Sequence, residues 1–181
     1  VTAKERLMRS RFNNDLRNSL SYWCDQNRII GIIMLLPSLI FSQISFEKKT
    51  LTTNINGPRD VFTIDIDGDN DIDVLSASSY DDKIAWYKND GTGAFTQNSI
   101  STSADDAYSV FAIDIDGDGD VDVLSSSADD DKIVWYENNG SESFTARTIA
   151  TSNNPKTVYA IDLDGDGDID VLSASQGNST I

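Results

Sequence analysis

An acidic nine-residue motif, D-x-D-G-D-x-D-x-D, occurs three times in this chain and limits its possible folds more than any other feature. The copies begin at Asp65, Asp114 and Asp162, at spacings of 49 and 48 residues. The same period relates two further stretches, KIAWYKNDGTGAFT from Lys83 and KIVWYENNGSESFT from Lys132. Because the period extends beyond the acidic motif, the sequence predicts a fold built from repeated structural units.

Within each repeat the apolar residues alternate, as Ile84 and Trp86 do in one copy and Val134 and Tyr136 do in the next. A period of two predicts β-strands rather than helices. Asp-Gly at 90–91 and Asn-Gly at 139–140 predict turns between strands. In the best-preserved repeat the pattern predicts four strands, at about 108–114, 121–127, 132–138 and 143–150. Four short strands in nearly 50 residues are typical of a β-propeller blade, so we predict an all-β fold with blades of four antiparallel strands.

The alignment of the repeats gives three blades, at about 57–104, 105–154 and 155–181, the last of them incomplete. Ile181 aligns with Ile84 in the third strand, so the last blade is predicted to lack only its fourth strand. Residues 46–52 align with the fourth strand at 144–150 and are predicted to supply it. Because propellers usually have about four to eight blades, we expect the chain to be a fragment of a longer propeller. An open stack of blades is the alternative.

The spacing of the acidic motif has a direct chemical interpretation, because carboxylates at alternate positions of a short loop converge on one ion. Carboxylates at positions 1, 3, 5 and 9, with the backbone carbonyl at position 7, supply the oxygen ligands that calcium prefers. The sequence therefore predicts about three calcium ions, one in each loop. The candidate metal ligands are Asp65, Asp67, Asp69, Asp71 and Asp73 in the first loop, Asp114, Asp116, Asp118, Asp120 and Asp122 in the second, and Asp162, Asp164, Asp166, Asp168 and Asp170 in the third.

Position 6 of each loop needs a residue that tolerates the left-handed backbone conformation. Gly119 and Gly167 fit this position, and Asn70 in the first loop is the next most tolerant residue type. Position 12, where an EF-hand has a bidentate glutamate, is serine in all three copies, so an EF-hand is disfavoured. Magnesium is disfavoured because it demands a tighter octahedron. The alternative interpretation is that the loops are solvated acidic turns without an ion.

The net charge of the chain is -16, and the acidic residues are concentrated in the repeats: residues 51–181 carry -20 and residues 1–50 carry +4. Of the 26 acidic residues after position 50, 15 lie in the three loops, where a divalent ion would remove their mutual repulsion. A surface this negative repels nucleic acid and anionic lipid, so we expect neither as a partner. The sequence has no histidine and a single cysteine, Cys24, which excludes Ser-His-Asp triads, zinc-histidine sites and disulfides within it.

Residues 28–43 are predicted to be a signal-peptide-like segment. They contain a 13-residue apolar run at 29–41 behind Arg28. A signal peptide needs about 7 to 15 apolar residues and a membrane span about 20, so the length favours export, with a membrane anchor or a buried helix as the alternatives. Residues 1–27 are an N-terminal extension that this pattern does not explain, and Cys24 within it is incidental. We therefore expect a secreted or cell-surface protein, of bacterial origin.

With these motifs in place, residues 46–181 resemble FG-GAP or VCBS repeats, the integrin-alpha-like propeller family. The resemblance rests on the three acidic motifs together with W-Y-x-N at the same period. It implies a secreted or surface-exposed propeller that calcium stabilises. It also implies that the metal loops lie on one face and that ligands bind on the opposite face, at residues 79–82, 101–107, 128–131 and 151–156.

For function, we expect a noncatalytic binding or adhesion scaffold. Its acidic loops, with Asp105, Asp106, Asp129 and Asp130, would be presented to an extracellular protein or glycan. One alternative is the propeller part of a carbohydrate-active enzyme, and another is a structural spacer of a larger surface protein. The Trp-Tyr pairs at 86–87 and 135–136 are predicted to pack in the core rather than to bind sugar, because they lie on strands. No membrane insertion is expected for residues 44–181.

Overall fold

A computed structural model describes residues 47–177 and 179–181 of the chain. The strands described here all lie in one compact unit, Lys49–Ile181. The described residues form ten β-strands and no helix, which confirms the predicted all-β class. The predicted segments 1–27 and 28–43 lie outside the described residues. The strands are β1 (Pro58–Ile64), β2 (Asp73–Ser78), β3 (Lys83–Asn89), β4 (Phe95–Ser101), β5 (Ala107–Ile113), β6 (Asp122–Ser127), β7 (Lys132–Asn138), β8 (Phe144–Thr151), β9 (Pro155–Ile161) and β10 (Asp170–Ser175).

The strands form three antiparallel sheets, which we call blades 1, 2 and 3. Blade 1 contains β1 to β4 in that order, blade 2 contains β5 to β8, and blade 3 contains β9 and β10. The bounds of the blade 2 strands lie within one residue of those predicted. Because consecutive strands are neighbours, the loops between strands 1 and 2 and between strands 3 and 4 share one end of each blade, here called the motif end. The loops between strands 2 and 3 lie at the opposite end.

The turns between strands 3 and 4 are longer than the predicted Asp-Gly and Asn-Gly pairs. The loop at 90–94 closes with a hydrogen bond from the N–H of Asp90 to the carbonyl of Ala94 at 3.1 Å. The Asp90 carboxylate also accepts hydrogen bonds from the hydroxyl and the N–H of Thr92 and from the N–H of Ala94, and these bonds stabilise the longer loop and lower the pKa of Asp90. Gly91 and Gly140 both adopt positive φ, at 72° and 69°, as a turn at these positions requires.

The hydrophobic core lies between the blades. The first cluster joins Leu75 and Trp86 of blade 1 to Val110 and Val123 of blade 2, and all four side chains are buried. A second cluster joins blade 2 to blade 3. Trp86 is 1% exposed, which confirms that this aromatic residue packs in the core. Face-to-face packing of successive four-stranded sheets is the arrangement of propeller blades.

The first strands of the three blades are neighbours. Phe62 of β1 contacts Phe111 of β5, and Phe111 contacts Tyr159 of β9, with 4.7 Å between ring centroids in both pairs. Polar contacts follow the same path, because Ser109 donates its hydroxyl to Asp60 at 2.8 Å and accepts the N–H of Val158 at 3.3 Å. An aromatic column and a polar relay therefore connect all three blades along their first strands.

Two strand predictions at the ends of the repeats are wrong. Residues 47–52, the described part of the predicted fourth strand at 46–52, are not a strand; Lys49 instead donates a hydrogen bond to the carbonyl of Gly93 and lies over the ring of Phe95. In blade 3, the predicted third strand is present only as a single bridge between Ser175 and Thr180. A strand needs a neighbour for its N–H and C=O groups, and among the described residues none pairs with 47–52.

Candidate metal centres

Each acidic motif forms the loop between the first and second strands of its blade, at the motif end. In blade 2 the carboxylate of Asp114, at position 1, accepts the N–H of Gly117 at 2.8 Å and that of Gly119 at 3.0 Å. Asp65 and Asp162 accept the equivalent N–H groups in their own loops. The position 1 carboxylate therefore holds the backbone of the loop curled around it.

Two residues of each loop adopt positive φ. At position 6, φ is 71° for Asn70, 96° for Gly119 and 99° for Gly167, which confirms the predicted left-handed conformation there. The glycine at position 4 also has positive φ in every loop, which the sequence analysis did not predict although this glycine occurs in all three copies. The values are 75° for Gly68, 76° for Gly117 and 80° for Gly165.

Three carboxylates converge in each loop. They belong to positions 1, 3 and 9, and one oxygen from each lies within 4.8 Å of the others. Oxygen atoms at this separation fit the coordination shell of a hard cation such as calcium. Apart from Lys88 beside the first loop, no lysine or arginine among the described residues forms an ion pair with these carboxylates. The three clusters are Asp65, Asp67 and Asp73; Asp114, Asp116 and Asp122; and Asp162, Asp164 and Asp170.

The carboxylates at positions 5 and 7 lie outside these clusters. At position 5, Asp118 accepts the N–H of Asp120 at 2.9 Å, and Asp69 and Asp166 make the equivalent contact at the same distance. At position 7, the side chain of Asp120 lies beside Gly140, in the turn between strands 3 and 4. Coordination by position 5 side chains and by position 7 carbonyls stays a prediction. The position 7 carboxylates of blades 1 and 2 instead lie beside the turn between strands 3 and 4 of the same blade.

The position 9 carboxylates of blades 1 and 2 are buried. Asp122 is 1% exposed and accepts the N–H groups of Asn138 at 2.7 Å and Ile115 at 3.1 Å. Burial raises the pKa of Asp73 and of Asp122, although backbone hydrogen bonds partly oppose this effect. In blade 3 the corresponding Asp170 is exposed and accepts the N–H of Leu163. A buried carboxylate raised in pKa is stabilised in its charged form by a bound cation.

A model of the FG-GAP-like repeat matches the sequence at residues 65–125 and again at 114–173. These two matches span the three acidic loops and more than half of the chain. The chain belongs to the FG-GAP-like repeat family. None of the curated proteins matches it significantly. Within the described residues there is no helix of sufficient length and apolarity to span a bilayer.

The three FG-GAP-like loops are not equivalent, because in the described part of the chain only the first loop has a lysine paired with one of its clustered carboxylates. Lys88 of β3 forms an ion pair with Asp67 and another with Glu142 of blade 2, the latter at 2.6 Å, and both raise the pKa of Lys88. The residue that corresponds to Lys88 in blade 2 is Glu137, which accepts a hydrogen bond from Arg147 at 2.6 Å. Sequence reasoning missed this contact, for which the only signal is the change from lysine to glutamate between matched strands.

A cavity of about 450 Å³ lies at the motif end, between blades 1 and 2. The first loop, Trp86, Lys88 and residues 140–142 of blade 2 line it. The two ion pairs of Lys88 place its ammonium group where it connects the first loop to the turn of blade 2. The first FG-GAP-like loop therefore has a protein cation in contact with one of its three clustered carboxylates.

The loops at the opposite end hydrogen-bond to one another. The N–H of Ala104 donates to the carbonyl of Asp82 at 3.0 Å, and the N–H of Ser152 donates to that of Asp131 at 2.9 Å. The structure thus places 79–82, 101–107, 128–131 and 151–156 together, as the resemblance implied. Partial desolvation and the nearby carboxylates, including those of Asp82 and Asp129, raise the pKa of Asp105.

Two of the four acidic residues predicted for ligand contact at this end are paired with lysines. Asp130 accepts a hydrogen bond from Lys132 at 2.8 Å, and Asp106 lies 3.7 Å from Lys156. Asp105 and Asp129 are exposed. The acidic surface offered at this end is therefore smaller than the sequence suggests.

Proposed function

We propose that this chain is a calcium-binding β-propeller module that acts outside the cell as a noncatalytic binding or adhesion scaffold. The observation that carries the proposal is the carboxylate cluster of Asp114, Asp116 and Asp122, which has no lysine or arginine paired with it among the described residues. Three anions at this separation repel one another unless a cation lies between them. Calcium fits because all the donor atoms are carboxylate oxygens, the ligand type that calcium prefers.

The proposed role of the ion is structural. The cluster takes its position 1 and position 3 oxygens from the loop and its position 9 oxygen from the start of the second strand. The carboxylate of Asp122 also holds the N–H of Asn138 in the third strand. An ion bound here fixes the loop to the strands on both sides of it. Because the same geometry occurs three times, it supports a repeated structural element rather than a single catalytic centre.

Other features favour binding over catalysis. Ser125, Ser126 and Ser127 are fully buried in β6, so they are unsuited to act as nucleophiles toward a substrate. Trp86 and Tyr136 are buried in the core, which supports packing rather than sugar stacking. The proposed ligand, an extracellular protein or glycan, would meet the loops at the opposite end, where Asp105 and Asp129 are exposed.

An extracellular location agrees with the expected affinity. Calcium sites of extracellular modules have dissociation constants on the order of 0.1 to 1 mM, and such sites fill only where calcium is abundant. The FG-GAP-like family and the signal-peptide-like segment at 28–43 support the same location.

Isothermal titration calorimetry of the purified chain with calcium tests the proposal, with magnesium as the matched control ion. We expect close to three calcium ions per chain, weaker or no response to magnesium, and a higher melting temperature in calcium than in chelator. A chain that is folded by circular dichroism and binds no calcium would refute the metal assignment. A chain that binds calcium and also hydrolyses polysaccharides would refute the noncatalytic role.

A further inference from the structure

Most of the basic residues of the repeats lie at the end of the blades opposite the acidic motifs. Residues 51–181 contain 6 lysines and arginines, and most of these are the first or second residue of a strand that starts at this end. They are Arg59, Lys83, Lys132 and Lys156. The motif end collects carboxylates that converge on three points, whereas the opposite end is a surface of mixed charge.

Arg59, in β1, has no carboxylate partner among the described residues, whereas Lys132 and Lys156 each have one. Its Nε donates a hydrogen bond to the hydroxyl of Ser79 at 3.1 Å. Ser79 is itself buried, and the Arg59 side chain is exposed. A guanidinium group has further N–H donors in a planar fork that matches a carboxylate. Arg59 is therefore fixed on one side and suited to bind an anion on the other.

Two tyrosine rings flank this guanidinium group. Its Cζ lies 5.2 Å from the ring centroid of Tyr108 in blade 2 and 5.9 Å from that of Tyr80, in the loop between β2 and β3. The ring of Tyr108 also meets the ammonium group of Lys156 in blade 3, at 4.0 Å. Cations are attracted to the faces of aromatic rings at such distances. Because Tyr108 belongs to blade 2, the guanidinium group lies on the side of β1 that faces blade 2.

Tyr80 provides the exposed apolar surface of this group of residues. It is 70% exposed, and its ring packs against Gly57, where a Cβ atom would lie 2.9 Å from it. The corresponding residue of blade 2, Asp129, is exposed as well, although blade 2 packs against a blade on each side. Exposure is therefore a property of this loop. We call Arg59, Tyr80 and Tyr108 the arginine–tyrosine cluster.

We propose that the arginine–tyrosine cluster is a contact site for an extracellular protein, and that Arg59 binds an aspartate or glutamate side chain of that partner. This inference rests on the proposed binding function and names the class of partner and the residues that contact it. Tyrosine and arginine are enriched among the residues that dominate the energy of protein–protein interfaces. A guanidinium group already held by a serine and two rings loses little conformational freedom when a partner binds.

The charges around the cluster favour a protein over an acidic glycan. Residues 51–181 carry a net charge of -20, and Asp105 and Asp129 are exposed at the same end. A polyuronate has a carboxylate on every sugar, so this surface repels it. A protein can place one acidic side chain among neutral or basic ones, so that its carboxylate meets Arg59 while the neighbouring side chains meet the exposed aspartates.

Selection of displayed random peptides on the full chain, in calcium, tests the inference. The selected peptides are synthesised, and their affinities for the wild-type chain and two variants are measured by calorimetry. Arg59→Gln removes the guanidinium group. Lys83→Gln is the matched control, because it removes a positive charge at the same end and Lys83 takes part in none of the cation–ring contacts of the described residues. Melting temperatures and calcium titrations verify that both variants remain folded.

We expect the selected peptides to contain an acidic residue and Arg59→Gln to raise their dissociation constants about 30-fold or more, with little effect of Lys83→Gln. Replacing the acidic residue of the peptide by its amide should cause the same loss in the wild-type chain and little further loss in Arg59→Gln. Peptides that lack an acidic residue, or whose affinity Arg59→Gln leaves unchanged, overturn the inference.

Oligogalacturonate, titrated into the same proteins, is the glycan probe. We expect it to bind the wild-type chain more weakly than the selected peptides do. Tighter binding that Arg59→Gln abolishes would overturn the inference, because the partner would then be an acidic glycan. The proposed function fails instead if the chain binds no calcium or hydrolyses polysaccharides, and the peptide affinities measure neither of these properties.

Discussion

Removal of one clustered carboxylate should abolish about a third of the stability that calcium confers. Each bound site stabilises the fold by RT ln(1 + [Ca]/Kd), which is about 1.4 kcal/mol at a calcium concentration of about ten times Kd. Three sites filled to this degree would together contribute about 4 kcal/mol, and the ion pair of Lys88 makes the share of the first loop somewhat smaller. Asp116→Ala deletes the position 3 ligand of the second loop, and its remaining contact is a hydrogen bond from the N–H of Asp118 at 3.3 Å. Because Asp116 is exposed, the metal-free fold should change little.

The assay is denaturant unfolding in calcium and in chelator, followed by tryptophan fluorescence. Asp116→Ala should lower the calcium-dependent part of the unfolding free energy by about 1.4 kcal/mol and the melting temperature in calcium by about 6 °C. Asp129→Ala is the control, since this exposed carboxylate lies at the opposite end. If the two variants lose the same amount, the assignment of the cluster to a metal is refuted.

Three further predictions follow from burial and charge. Lys88→Met should strengthen calcium binding at the first loop several-fold by freeing Asp67, seen in terbium luminescence as tighter binding at one site; unchanged affinity would contradict the competition. Leu124→Ala should cost about 3 kcal/mol in unfolding free energy, because Leu124 is fully buried, and Leu172→Ala clearly less at its partly exposed counterpart; equal losses would count against the packing described. Burial raises the pKa of the position 9 carboxylates in the folded chain, so without metal the melting temperature should rise as pH falls from neutral through that folded pKa. Calcium should reverse this trend. A melting temperature that decreases with falling pH both with and without calcium would contradict the prediction.

The blade structure was predictable from the sequence because its signals are local. Alternation such as that of Ile84 and Trp86 fixes which side chains face a neighbouring sheet, and the positions of the acidic motif fix which carboxylates can meet. The convergence of positions 1, 3 and 9 follows from that spacing. By contrast, the spacing does not predict whether the position 5 carboxylate joins the cluster or accepts a backbone N–H of its own loop, because the loop conformation decides between the two.

Contacts between distant residues could not be predicted. Glu142 meets Lys88 across 54 residues of sequence, and only the packing of blade 2 against blade 1 brings them together. The predicted strand at 46–52 failed for a related reason. Its likeness to 144–150 gives it the right residues for a strand, but a strand also needs the edge of a neighbouring strand to pair with. That neighbour would be the third strand of blade 3, which the described residues contain only as the single bridge at Thr180.

The aromatic column of Phe62, Phe111 and Tyr159 bears on how such a protein can change its size during evolution. Each repeat of 48 or 49 residues contributes one ring, and each ring contacts the rings of the adjacent repeats. A tandem duplication of one repeat would therefore insert one ring, and that ring would bring its own contact surfaces for the ring before it and the ring after it. Blade number can then vary by gene duplication or deletion without any compensating substitution along the first strands.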